Sequence, residues 1–160
     1  MPQAFAGNPV TGSGTVYQVP RDHSLRLELL SFTLTTANVS GTHGPVVRFY
    51  DQQLAAYTAR LWDWNAGGGL MTLYYTYGIG LHAFNCNVTS GMLIEHPLPD
   101  TVLAPLTGVE IAALDSAGSV ISADTITAVV LYGTFIDAVD SQPASNVDLL
   151  TGFLPSDVEA

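Results

Sequence analysis

The chain has 160 residues, a single cysteine (Cys86) and a formal net charge of −10. One domain of that length buries roughly 68–70% of the surface its unfolded chain exposes, so no staple is needed, and one cysteine excludes an internal disulfide. Lysine is absent, the four arginines (Arg21, Arg26, Arg48, Arg60) all precede residue 61, and eleven carboxylates follow Trp62; a surface so charged repels phosphate backbones and anionic lipid, which excludes nucleic-acid and membrane partners from the expectation.

Residues 1–14, MPQAFAGNPVTGSG, are rich in turn formers and build no periodic face, so they are expected to form a flexible or docking arm before a folded part that starts at Thr15. The segment has no charged leader, and the chain has no apolar run of about 18 residues, so the sequence reads as a soluble protein made in a cytoplasm. "TVYQVP" is a short strand stopped by Pro20, whose missing N–H suits an edge or a strand end. In "SLRLELLSFTLTTANV" the apolar set changes face near Leu30, as a β-bulge or a strand passing between two sheets requires.

"GPVVRFYD" is the next strand. "LAAYTARLWDW" mixes helical spacing at Leu54, Tyr57 and Leu61 with β-favouring Thr, Tyr and Trp, and the strand reading is preferred. Gly67 to Gly69 then connect to "LMTLYYTYG", which sets Met71, Leu73, Tyr75 and Tyr77 on one face and Leu70, Thr72, Tyr74 and Thr76 on the other. "LHAFNCNV", "GMLIEHPLP", "GVEIAALD" and "DTITAVVLYGTFID" continue the rhythm; Ile126, Ala128, Val130 and Tyr132 oppose Thr125, Thr127, Val129 and Leu131, and "LDSAGSVISAD" reads as a hairpin-like loop. Eight or nine short strands without a convincing long helix predict an all-β, antiparallel β-sandwich, jelly-roll-like, over residues 15–137. Residues 138–160 form an acidic C-terminal tail with one apolar island, Leu149, Leu150, Phe153 and Leu154.

No motif selects a catalytic, cofactor or metal site. A phosphate-binding loop needs a lysine and a following helix, and the triple glycine has neither. Metal-binding cupins, which share the jelly roll, place an H-x-H pair on one strand so that two imidazoles meet one ion; His23, His43, His82 and His96 form no such pair and are read as ordinary polar packing. Cys86 and His82 lie too far apart along a strand to touch, and no G-x-S-x-G elbow occurs.

The stretches "LRLELLSFTLTTANV", "VVRFYDQQLAAYTARLW", "LMTLYYTYGIG" and "HPLPDTVLAPLTGVEIAALDSAGSVISADTITAVVLYGTF" resemble small β-sandwich virion proteins of tailed bacteriophages. The shared features are a leucine-rich first strand, a Y-x-x-G segment, an "LP…L…G…I" stretch and a penultimate "D…I…D" hairpin, a loose rhythm over residues 15–137. The resemblance implies a capsid decoration or cement protein that binds the major capsid protein on the outside of the head shell as a homotrimer, and so a place on the virion surface. Trp62, Trp64 and Tyr74, with Leu149, Leu150 and Phe153 of the tail, are the interface candidates, because aromatic residues concentrate at subunit contacts. The alternative is a carbohydrate- or host-surface-binding module of a fibre, collar or capsid surface, with Trp62, Trp64, Tyr74, Tyr75 and Tyr77 stacking on sugar rings.

Overall fold

A computed structural model describes residues 1–37, 41–62, 70–89 and 91–137, with the side chain of Trp62 outside that description. Its strands are β1 (Gln3–Ala6), β2 (Val10–Thr11), β3 (Ser13–Gln18), β4 (His23–Thr35), β5 (Gly44–Asp51), β6 (Ala56–Trp62), β7 (Thr72–Gly78), β8 (Phe84–Val88), β9 (Gly91–Pro97), β10 (Thr101–Leu103), β11 (Gly108–Leu114) and β12 (Thr125–Asp137). Two sheets pack face to face as the expected β-sandwich. One has eight strands in the order β1-β12-β4-β7-β9-β8, with β10 beside β4 and β2 beside β12; the other has four, β3-β11-β5-β6. Among the described residues all strand pairs are antiparallel except β7–β9. A parallel neighbour needs a crossover of about a dozen residues, and here the stretch between Gly78 and Gly91, carrying the edge strand β8, serves as that crossover.

The core lies between the sheets. It takes Leu25, Leu27, Leu30, Phe32 and Leu34 from β4, Leu73, Tyr75 and Tyr77 from β7, Val47 and Phe49 from β5, and Val109, Ile111 and Ala113 from β11. Phe32 stacks on Tyr75 at 5.3 Å and Tyr77 at 6.1 Å, a ring ladder at the centre of the eight-stranded sheet. The predicted split of "LMTLYYTYG" holds: Leu73, Tyr75 and Tyr77 are buried, while Thr72, Tyr74 and Thr76 are half-buried.

The face change near Leu30 is a bulge. Tyr132 pairs with Leu29 and Gly133 with Leu27, so Glu28 is the extra residue on β4. That insertion lets Leu25 and Leu27 point inward on one side of it and Leu30, Phe32 and Leu34 on the other. It also divides the strand's partners, with β10 against Leu25–Leu27 and β7 against Leu29–Thr35. Only glycine fits across from it, since a Cβ on Gly133 would stand 2.4 Å from the Arg26 carbonyl oxygen. A second shift interrupts β12 between Thr127 and Val130, where Ala128 has a φ of 52°. The regular alternation expected along this strand is corrected there: Ile126, Val129 and Leu131 face the core, and Val130 and Tyr132 face out.

Two further expectations are refined. Residues 1–14 are docked rather than flexible, laid along the sheet with β1 pairing Val130–Gly133 and β2 pairing Thr125–Ile126. Phe5 explains this, because its ring packs on Phe135 at 4.8 Å and on Tyr17 at 5.6 Å, an apolar anchor among turn formers. The "LDSAGSVISAD" loop is hairpin-like as expected, with Leu114 bridging antiparallel to Val120 over a tight turn closed by Asp115, but it then arches from β11 to β12, which belong to different sheets. The predicted C-terminal tail lies outside the described residues, as do Trp64 and the triple glycine.

Candidate functional site: a cationic cleft on the four-stranded sheet

Alternation along β5 sends Val47 and Phe49 into the core and leaves Val46, Arg48 and Tyr50 on the outer face. In β6, Ala59 and Leu61 pack on the core, which puts Arg60 outside. Tyr57 would then face the wrong way, but the pairing shifts between Phe49 and Tyr50 so that Thr58 is an extra residue, its hydroxyl donating to the Phe49 carbonyl at 3.3 Å. The bulge turns Tyr57 onto the face of Arg60.

The result is a row of charges across three strands: Glu110 pairs with Arg48, and Arg48 pairs with Arg60. Arg48 Nη2 lies 3.3 Å from Glu110 Oε1. Tyr57 covers both guanidiniums, its ring centre 5.0 Å from Arg48 Cζ and 5.6 Å from Arg60 Cζ, and its hydroxyl donates to Glu110 Oε1 at 2.9 Å. That hydrogen bond raises the Tyr57 phenol above its ordinary value, because ionisation would set a phenolate against the carboxylate; burial adds to the effect and Arg48 opposes it. Tyr50 meets the ring edge-on at 5.1 Å. Of the two guanidiniums only that of Arg48 has a carboxylate partner among the described residues, and cations placed directly opposite each other on a sheet repel. Arg48 Nε is buried without a hydrogen-bond acceptor.

Beside this row lies a cleft of about 450 Å³ lined by Val46, Arg48, Arg60, Leu114, Gly118 and Val120. Val46 and Leu114 form its floor, and with Ala112 they make a small apolar cluster outside the main core. Its rim is the arch after β11, fixed by Asp115 Oδ1 accepting from the N–H groups of Ala117 and Ser119, each at 2.9 Å, and by Gly118 at φ 86°. Guanidiniums over an apolar floor suit a ligand with a carboxylate beside an apolar group.

Two other polar clusters differ. On the eight-stranded sheet a more open hollow of about 480 Å³ is lined by Arg26, Glu28, Leu29, Ile79 and Tyr132, but Arg26 is paired with Asp100 at 2.9 Å and Glu28 accepts from Thr134 at 3.0 Å. His43 and Asp124 are fully buried with Nδ1 and Oδ2 2.7 Å apart, and Asp124 Oδ1 accepts from the Ala37 N–H at 2.7 Å. This pair ties the end of β4, the start of β5 and the start of β12 together.

The interface candidates do not form one patch. The Trp62 backbone pairs with Val46 and so borders the cleft. Tyr74 sits on the other sheet, opposite Thr33 and Leu93. Trp64, Leu149, Leu150 and Phe153 lie outside the described residues. Of the rings proposed to stack on sugars, Tyr75 and Tyr77 are each 1% exposed and belong to the core. Among the described residues no group of three or more His, Cys, Asp or Glu is placed to hold a metal ion; His23 packs on Phe135 and His96 on Tyr77. Sequence reasoning missed Arg48, Tyr57 and Arg60. The available signal was that two of four arginines flank one short turn, at positions a hairpin brings opposite each other. Neither a protein-family model nor a curated protein matches the chain.

Proposed function

We propose that this is a structural protein of a tailed-bacteriophage virion, a decoration or cement protein that holds to the outside of the head shell as an oligomer, with the major capsid protein and its own copies as partners. The observation that carries the reading is the outer face of the four-stranded sheet. Two arginines and two tyrosines stand beside an apolar-floored cleft there, and Arg and Tyr are the side chains that anchor protein interfaces when a partner excludes water. The phage-like strand rhythm over residues 15–137 supports the same reading, and oligomeric display would turn modest contacts into firm attachment.

The test is co-sedimentation of the purified full chain with undecorated phage heads, followed by imaging of the particles. Bound density at regular lattice positions, reduced in an Arg48→Ala/Arg60→Ala chain, is the expected result. Wild-type chain that stays in the supernatant at every ratio tried would overturn the proposal.

A further inference from the structure

We infer that the acidic-apolar tail of a second copy of this chain, centred on Asp148 to Leu154, docks in the Arg48–Arg60 cleft. This rests on reading the chain as an assembling protein, and it names the contact through which copies join.

Three features of the cleft call for an occupant with a carboxylate. Arg48 and Arg60 face each other with Glu110 paired to Arg48, Arg48 Nε has no acceptor among the described residues, and Arg60 is exposed with no carboxylate partner among them. The apolar lining of Val46, Leu114 and Val120 adds that the carboxylate should stand beside apolar groups. Residues 138–160 match both demands: they carry Asp140, Asp148, Asp157 and Glu159, no cation, and Leu149, Leu150, Phe153 and Leu154 close after Asp148. A net charge of −10 disfavours an extended polyanion at this face, while a short segment can seat one carboxylate between the guanidiniums.

The route favours a second copy over the same one. The tail follows β12, which belongs to the eight-stranded sheet, whereas Arg48 and Arg60 stand on the outer face of the four-stranded sheet. A tail docking on its own chain must first round the edge of the sandwich, while the tail of a neighbouring copy can approach that face directly.

Sedimentation velocity on the full chain tests the contact. Wild type should associate with rising concentration; Arg60→Glu and Asp148→Arg should each weaken association about tenfold or more, the scale of one lost charge-assisted hydrogen bond. An equimolar mixture of the two variants should recover it, because the arginine introduced in the tail of one chain then meets the glutamate introduced in the cleft of the other. Arg60→Gln and melting curves guard against a folding defect. A wild type that stays monomeric, variants that associate like wild type, or a mixture that does not recover would each overturn the inference. Shell binding separates this from the broader proposal: decoration that persists while Arg60→Glu associates normally removes the tail contact alone, and wild type that fails to decorate removes the assembly reading.

Discussion

His43 with Asp124 and Arg48 with Arg60 are two polar clusters on or beside the same strand, and they are built on opposite terms. The first is sealed: both side chains are 0% exposed, opposite in charge when the imidazole is protonated, and joined at 2.7 Å across 81 residues of sequence. The second is open: two like charges face each other at the surface, with a carboxylate paired to Arg48 alone among the described residues and a buried donor lacking an acceptor. A sealed pair holds three chain segments in place, and its energetic consequence lies in folding. An open like-charge pair contributes little to the fold, so its arrangement makes sense through what it attracts.

Substitutions can break this contrast, and the largest effect is expected at the sealed pair. Asp124→Ala removes the acceptor of His43 Nδ1 and of the Ala37 N–H together, and loss of one partner from a buried pair costs about 3–5 kcal/mol. Urea unfolding should show it, and a cost near zero would mean the cluster is not a structural tie. Next is Glu110→Ala, which leaves Arg48 without its carboxylate and frees the Tyr57 hydroxyl; about 1–2 kcal/mol should be lost by the same measurement, since the site is only partly shielded from water.

Arg60→Glu should move stability and assembly in opposite directions. It sets a carboxylate opposite Arg48, so the melting temperature should hold or rise slightly, by about 0.2–1 kcal/mol equivalent, while association falls. A variant that loses both together would show the pair to be structural after all. The smallest effect is expected from Tyr57→Phe, about 0.5 kcal/mol, because the bond to Glu110 faces solvent. Its pH signature is more specific. A raised phenol stabilises the fold fully below the ordinary value of 10.0, and that contribution disappears as pH climbs through the higher folded-state value. Ultraviolet titration of wild type minus the Phe variant should therefore show one phenolate forming late.

Much of the sandwich was legible because alternation exposes strands directly, and even the Glu28 bulge could be read, since Leu27 and Leu30 cannot share a face without it. The second bulge was hidden: Ala128, Val129 and Val130 are all apolar enough to fit either face. Strand β1 was hidden by composition, with one phenylalanine deciding the fate of a segment rich in turn formers. The cleft needed two facts that no local pattern carries, the extra Thr58 that reorients Tyr57 and the arch that brings Gly118 and Val120 over β5. Likewise His43 and Asp124 meet only because the ends of β4, β5 and β12 converge.

The position of β12 has a consequence for biosynthesis. The last described strand lies between β1 and β4, both of which leave the ribosome long before it. Until residues 125–137 emerge, the nascent leucine-rich β4 has an open edge along its whole length, a state prone to pair with other chains. Closure of the sandwich is thus a late, long-range event, and truncation or stalling upstream of Thr125 would yield a sticky fragment instead of a smaller folded protein.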